Sequence, residues 1–397
     1  MIIGFCGSGN MAAAMARGWA GERMSLVGEN SYEWVLAYFA IVNTNSTAVP
    51  LDKELTAEEL KAFVLRAKAT VLFISPSYAE EAQIILDATP GLCIVSLGEA
   101  FGPAIPLREL VDEGFALLAH GEDRYTNLEI DRERPCAILF TSGTTGSPKA
   151  VIQTQRMLCS NQEMVADCYA FMRDEPPVVV DWAPWNHTAS GNKVFNLTIY
   201  HGGSYYIDRG KPTPALIGQT IANLRDIAPT WYFNVPAGFE MLIGAMRQDA
   251  QLRQNFFSRL RVLMYAGAGL AQHSWNALVD LNAQTTGKFL PIGTGLGSTE
   301  TGPFALYCTE KQDRPGNIGI PAQGVTVKLV PLDDKYELRL KGPNVTPGYW
   351  NNPKLTAEAF DDEGFYRIGD AVKFAVPGDP RRGFYFDGRT AENFKLN

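Results

Sequence analysis

The densest chemistry in this sequence lies in ILFTSGTTGSPKAV, residues 138–151. An apolar, strand-like run empties into two glycines (Gly143 and Gly146), five hydroxyls (Thr141, Ser142, Thr144, Thr145 and Ser147) and one lysine, Lys149. Such a segment offers many backbone and side-chain donors and few bulky groups, which is what a phosphate cradle requires. It is not a Walker loop, because Gly-Lys-Ser/Thr is absent and Pro148 precedes Lys149. A flexible polar loop would leave the hydroxyl density and the terminal cation unexplained. A second Gly-rich stretch opens the chain: Gly7-x-Gly9-x-x-Ala12, set between a strand-like and a helix-like run, with Glu29 ending another strand about 20 residues on. That spacing meets a dinucleotide-binding fingerprint and supplies a rival chemistry, NAD(P)-dependent oxidoreduction.

Loops of this kind need a framework of strands and helices, and the pattern supplies one. In the first half, MIIGFC, MSLVGE, STAVPLD and TVLFISP each precede a helix-patterned stretch, the alternation expected of a mainly parallel sheet. Asn30 or Ser31 is placed to start one helix, and Thr56 with Glu59 forms a capping-box pattern at the start of another. Between about residues 99 and 134 the pattern weakens into a Gly, Pro and acid-rich connection ending in DRERP, before the strand CAILFT. A second alternation runs from about 178 to 320, through PVVVDWAP, NKVFNLTIYHG, GSYYID, PALIGQTIANLRDI, TWYFNVP, LRVLMYAG and FLPIGTG. Short strands with turns follow in VTVKLVP, YELRLKG, FYRIGDAVKF and FYFDG. The expectation is an α/β fold of two layered subdomains, residues 1–177 with the phosphate loop and 178–320, followed by a small β-rich, barrel-like module over 321–386.

Composition limits the partners. The 397 residues are 46% hydrophobic and 20% charged, as in ordinary globular chains, and long enough for more than one core. Thirty-five Lys and Arg against 43 Asp and Glu give a net charge of -8, which argues against nucleic acid as the main partner. Six cysteines without a CxxC pair suggest neither a zinc ribbon nor a disulfide framework, and four scattered histidines make a His-rich metal cluster improbable. No apolar run approaches the roughly 20 residues needed to span a bilayer, and no basic-then-apolar leader is evident. The chain reads as cytoplasmic, with no membrane partner; a homodimer is compatible with it.

TSGTTGSPK resembles the phosphate-binding signature of the adenylate-forming enzymes, which include acyl-CoA synthetases, luciferases and peptide-synthetase adenylation domains. Further blocks follow in that family's order: AGAGL (266–270), GSTETG (297–302), KGPNVTPGYWNNPKLTAEAF (341–360), YRIGD (366–370) and DGRTAENFK (387–395). The resemblance runs from about Leu26 to the end and implies the family's large N-terminal domain and its chemistry, ATP-dependent activation of a carboxylic acid followed by thioester formation with coenzyme A. Joining a carboxylate to the α-phosphate requires two repelling anions to be aligned and neutralised. Lys149 and the hydroxyls of Thr141, Ser142, Thr144 and Thr145 suit the β- and γ-phosphates, with Gly143 and Gly146 leaving room for them. Glu300 is the acidic candidate for Mg²⁺, with Thr144 a second ligand. By resemblance, Thr299 contacts the α-phosphate in a turn that starts at Gly297, and Asp370 and Arg389 bind the ribose. Gly267, Ala268 and Gly269 let backbone approach adenine, and Leu296 stands where the family commonly has an aromatic residue stacked on the base.

Within the family, DWAPWNHTASGNKVFN, GKPTPALI and TWYFNVPAGFEML look most like feruloyl-CoA synthases, which activate hydroxycinnamic acids. Trp185, His187, Gly191, Phe233, Val235 and Phe239 are the candidates for an aromatic slot, and His187 matches the position that gates the acyl pocket. Relatives carry, beyond the hinge marked by DGR, a smaller C-terminal domain that contributes a catalytic lysine. Lys395 is not a match for that lysine, so residues 387–397 read as a hinge remnant, the small domain as absent, and this polypeptide as impaired in adenylation and thioester formation. The first 18 or so residues resemble pyrroline-5-carboxylate reductases instead, which keeps the oxidoreductase in view; a non-catalytic nucleotide-binding protein is the third reading.

Overall fold

The structure, a computed structural model, describes residues 8–122, 128–141 and 148–391. The chain divides into two compact units, one made of Met1–Leu158, Pro184–His187 and Thr346–Thr356, the other of Cys159–Ala183, Thr188–Val345 and Ala357–Asn397.

In the first unit the elements follow as α1 (Ser8–Gly18), β1 (Arg23–Val27), α2 (Tyr32–Asn43), β2 (Thr47–Pro50), α3 (Ala57–Ala67), β3 (Val71–Ile74), α4 (Ala79–Ala88), β4 (Cys93–Ser96), β5 (Ile105–Pro106), α5 (Leu107–Ala119), β6 (Pro135–Thr141) and β7 (Lys149–Thr154). The strands form one sheet in the order β5-β4-β3-β1-β2-β6-β7. Its neighbours are parallel except β6 and β7, which are antiparallel. Strands such as VLFI in β3, buried at every position, are those of a sheet covered on both faces. Leu60 and Val64 of α3 and Ala82 and Ile85 of α4 pack with Val27, Leu72 and Ile138 of the sheet.

The expected helix starts form. Ser31 Oγ accepts from Trp34 N at 3.1 Å, while Asn30 Oδ1 instead accepts from Trp185 N at 3.2 Å. Thr56 and Glu59 exchange both hydrogen bonds of the capping box. The connection at 99–134, expected to lack regular structure, contains β5 and the 13-residue α5. Its buried stripe is Leu107, Leu110 and Gly114, spaced i, i+3 and i+7 but ending on a glycine that carries no hydrophobic signal. The strand expected at MIIGFC lies outside the described residues. Helix α1 is present with Met11, Ala12 and Met15 buried, and it packs on α5 and α2.

The second unit contains most of α6 (Gln155–Cys168), then β8 (Val178–Asp181), a π-helical turn Ala189–Val194, α7 (Phe195–Tyr200) and β9 (Ser204–Ile207), which pairs in parallel with β8. Next come α8 (Ile217–Asp226), β10 (Trp231–Asn234), α9 (Pro236–Gln248), α10 (Ala250–Ser258), β11 (Val262–Tyr265), α11 (Gln272–Thr286) and β12 (Ile292–Gly293). β10, β11 and β12 form a parallel three-stranded sheet. Its side chains alternate: Trp231, Phe233 and Met264 enter one core, whereas Tyr232, Leu263 and Tyr265 enter another with Phe239, Leu242 and Phe256. The remaining strands, β13 (Gly295–Leu296), β14 (Leu306–Tyr307), β15 (Asn317–Pro321), β16 (Thr326–Leu332), β17 (Lys335–Lys341), β18 (Tyr366–Phe374) and β19 (Phe384–Arg389), form an antiparallel sheet ordered β13-β14-β15-β19-β18-β17-β16. Among the described residues no helix is long and apolar enough to cross a membrane.

Candidate active site

In the first unit, Thr141 and Lys149 are register partners at the loop end of the β6–β7 hairpin, so the two ends of the Ser/Thr/Gly loop are fixed by sheet pairing. Ser142, Gly143, Thr144, Thr145 and Gly146 lie outside the described residues. Lys149 is half-buried, with its ammonium 5.6 Å from the centre of the Tyr349 ring. Tyr349 is held there because the PGYW segment runs antiparallel beside β7: Ile152 N donates to Gly348 O at 3.1 Å and Trp350 N to Ala150 O at 2.8 Å. Arg66 on α3 braces the loop base, donating to Pro148 O at 2.7 Å while its guanidinium lies 5.5 Å from the Phe140 ring centre. Arg66 did not stand out in the sequence, and Tyr349 did so only as part of the 341–360 block, with no role of its own.

In the second unit, Thr299 and Glu300 sit in a single 3₁₀ turn, Thr299–Thr301, that follows β13. Thr299 is half-buried and the Glu300 side chain is buried at 7% exposure. Three buried asparagines far apart in sequence fix the backbone on the C-terminal side of this turn. Asn161 donates to Thr301 O at 3.1 Å and accepts from Phe304 N at 3.0 Å. Asn344 donates to Thr301 O at 3.3 Å and to Phe304 O at 2.8 Å, and Asn192 donates to Gly302 O. Within the turn, Ser298 N donates to Thr301 Oγ1 at 2.8 Å. Gly297 is obligatory by space, since a Cβ there would collide with the carbonyl of Pro303. Among the described residues no three His, Cys, Asp or Glu side chains cluster as a metal cage.

Asp370 and Arg389 are brought together directly. They are register partners on β18 and β19, and Arg389 Nη1 donates to Asp370 Oδ1 at 2.6 Å. Burial lifts the Asp370 carboxyl above its ordinary range, and the Arg389 charge and hydrogen bond oppose that shift. Arg389 is exposed along much of its length, so it can turn a donor toward a ligand. The strands bearing this pair belong to the same sheet as β13, from which the Glu300 turn emerges. Leu296 on β13 is half-buried and leans on the core around Phe233. At the end of β11, Gly267 adopts φ +86°, and Gly267, Ala268 and Gly269 are exposed. A Cβ at Gly267 would touch Val235 Cγ1 at 3.5 Å, so this turn abuts the end of β10.

The candidates for an acid slot divide. Phe233 enters the core with Trp231 and Met264, but Phe239 packs on Tyr232 in the core on the opposite face of the three-stranded sheet. Phe239, on α9, therefore does not share a slot with Phe233: its partner Tyr232 points to the opposite face of β10 from Phe233, since neighbouring strand residues alternate. Gly191 lies half-buried in the π-helical turn, whose start is tied down by buried Asp181 accepting from Ser190 Oγ, from Tyr205 Oη at 2.8 Å and from Ala183 N at 3.1 Å. In the first unit, Trp185 is buried against Trp34. His187 is open to solvent, yet protein around the ring lowers its pKa by desolvation, and the Asp52 carboxylate opposes that shift. As for the dinucleotide fingerprint, Gly9 falls inside α1 and Gly7 outside the described residues. Glu29 does not wait for a ribose. Burial raises its pKa, but its own backbone N–H, the Ser75 and Tyr78 hydroxyls and the Lys53 charge together hold it below the usual value.

A profile of the AMP-binding enzyme family matches residues 8–350. The chain belongs to that family. Among curated proteins it is 27% identical over 368 residues to a feruloyl-CoA synthase of an Amycolatopsis species, covering 90% of this chain and 67% of the relative. It is 26% identical over 396 residues to a long-chain-fatty-acid–CoA ligase of Salmonella typhimurium, covering 89% and 68%. Among solved structures, ATP-bound MatB from Rhodopseudomonas palustris superposes with a TM-score of 0.77 at 24% identity, over 96% of this chain and 72% of that one. The fold is thus that of the large α/β domain of adenylate-forming enzymes, and the chain spans about two thirds of the length of the curated relatives it matches.

Proposed function

We propose that this chain activates a carboxylic acid with ATP. A carboxylate oxygen attacks the α-phosphorus, the bond from that phosphorus to the oxygen bridging to the β-phosphate breaks, and pyrophosphate leaves with the electron pair. The product is an acyl-adenylate; the thiol of coenzyme A then attacks its acyl carbon, the acyl–oxygen bond breaks, AMP leaves with the electron pair and the thiol proton passes to solvent. The observation that carries this reading is the Asp370–Arg389 pair on the sheet from which the Glu300 turn emerges, within a chain of the AMP-binding family.

The roles follow from the chemistry. Lys149, with Thr141, Ser142, Thr144 and Thr145, neutralises and positions the β- and γ-phosphates of the leaving group. Thr299 donates to the α-phosphate, where negative charge is crowded by the incoming carboxylate. Asp370 accepts from the ribose hydroxyls and Arg389 donates to the same sugar. Adenine lies against the exposed backbone of Gly267 and Ala268, with Gly297 and Leu296 nearby in the chain's design. Mg²⁺ bound to phosphates keeps several waters and takes only one or two protein carboxylates, so a single buried Glu300, helped by Thr144, fits it where a caged metal would not. When bound, the ion neutralises phosphate charge.

The acid we favour is a hydroxycinnamic acid such as ferulate, supported by the likeness of 181–196 and 230–242 to feruloyl-CoA synthases and by the relative bearing that name. The long-chain-fatty-acid ligases match nearly as well, so a substrate panel has to include both classes. Incubation with ATP and ferulate, followed by mass spectrometry for the AMP ester and assay of pyrophosphate, tests the reading. Both products are expected, and neither product with any acid of the panel would refute it. His187→Ala is expected to lower acyl-adenylate formation about tenfold by disturbing the approach of the acid, and unchanged turnover would remove His187 from the site.

A further inference from the structure

Resting on that reading, we infer that Lys193 recognises the far end of the acid: its ammonium donates to a phenolic oxygen carried by the aromatic ring opposite the reacting carboxylate. Lys193 is 4% exposed, on the π-helical turn that also carries Gly191. Its Nζ donates to Met264 Sδ at 2.7 Å and lies 4.5 Å from the Phe304 ring centre and 5.8 Å from that of Tyr307. Tyr169 Oη also donates to Met264 Sδ, at 3.4 Å. Two donors thus converge on one thioether, a weak acceptor, and among the described residues no carboxylate or carbonyl oxygen pairs with the ammonium. Desolvating a cation is costly unless a strong acceptor or counter-charge is supplied, and among the described residues its hydrogen-bond partner is the weak thioether acceptor of Met264. The nearby Cys168 does not serve, because burial pushes its thiol up to about 12 and leaves it neutral.

Placement identifies the missing acceptor. Met264 lies on β11 three residues before Gly267, the exposed turn against Val235. Phe304 follows the Glu300 turn directly and is hydrogen-bonded with it by Asn161 and Asn344. Phe233 belongs to the same core. A planar acid with its carboxylate at the α-phosphate would lay its ring among Phe233, Phe304 and Met264 and carry its far substituent to the ammonium. Aromatic faces hold a ring and an ammonium donates to an oxygen, so these side chains select a phenol over an unsubstituted or alkyl end.

The test is titration calorimetry of 4-hydroxycinnamate, cinnamate and ATP, each against the unaltered chain and Lys193→Met. The unaltered chain is expected to bind 4-hydroxycinnamate about tenfold tighter than cinnamate. Lys193→Met should erase that preference, leave ATP binding within about twofold, and melt no lower than the parent, because it removes a buried unpaired charge. Should the methionine variant fold poorly, Lys193→Leu carries the same expectations. An unaltered preference in the variants, no preference in the parent, or no acid binding while ATP still binds overturns the inference and leaves adenylate chemistry standing. Failure of the parent to bind ATP overturns both.

Discussion

At the scale of single residues, charge and burial set what each candidate can do. Asp370 is almost fully enclosed with Arg389 as its partner, so Asp370→Asn keeps the shape of the site but removes the charge and exchanges one of the two oxygens proposed to accept from the ribose hydroxyls for an NH₂ donor. Its ATP and AMP affinities are both expected to fall about tenfold in a calorimetric titration. Lys193 makes a separate prediction through linkage. Burial lowers its pKa from 10.5 to about 7, so between those values the unfolded chain holds a proton there that the folded chain has released. Stability from this group therefore rises with pH across that window. The Tyr169 and Tyr307 hydroxyls and the Cys168 thiol, which face it, are all shifted upward by burial and stay neutral through most of the window. Urea melts at pH 7 and pH 9.5 should show a gain in the parent that shrinks in Lys193→Met. An equal gain in both would contradict the assignment. Lys193 was hidden in the sequence because a lysine in NKVFN reads as a solvated helix charge, and only burial against Phe304 and Met264 changes that.

At the scale of elements, the Glu300 turn depends on side chains outside its own GSTETG block. Asn161 comes from α6, Asn192 from the π-helical turn and Asn344 from the segment after β17, and each satisfies buried backbone of residues 301–304. Replacing Asn344 by Leu removes the donor to Phe304 O and leaves Thr301 O with Asn161 alone, which should cost about 1–3 kcal/mol by denaturant melts and raise the KM for ATP more than it lowers kcat. The brace on the phosphate loop is comparable. Arg66→Ala removes the hydrogen bond to Pro148 and the stacking on Phe140, and should weaken ATP binding with little effect on AMP, which lacks the β- and γ-phosphates. Capping chemistry at Thr56 and Ser31 and the alternation of strand and helix were legible in the sequence because they depend on neighbours within a few residues. Helix α5 was not, since its short stripe ends on Gly114, and neither were Arg66 and the asparagines, whose partners lie up to 143 residues away.

At the scale of the molecule, the motif blocks recur in the family's order, and the folded chain distributes them over two units: Thr141, Lys149 and His187 in the first, Thr299, Glu300, Gly267, Asp370 and Arg389 in the second. The fold class was readable because TSGTTGSPK follows β6 and AGAGL follows β11, at strand ends where α/β sheets present their loops, whereas YRIGD opens β18 of the antiparallel sheet. The choice of acid was less so. Phe233 and Phe239 look equivalent in TWYFNVPAGFEML, yet they enter different cores because the sheet has two buried faces. The proposed ribose pair, Asp370 and Arg389, and the proposed triphosphate cation, Lys149, can therefore be tested separately, each within its own unit. The most direct test is a paired titration of ATP and AMP against the parent, Lys149→Ala and Asp370→Asn. The account predicts that Lys149→Ala loses about tenfold or more in ATP affinity while AMP binding is unchanged, and that Asp370→Asn weakens both ligands alike. Parental ATP affinity in either variant would contradict it.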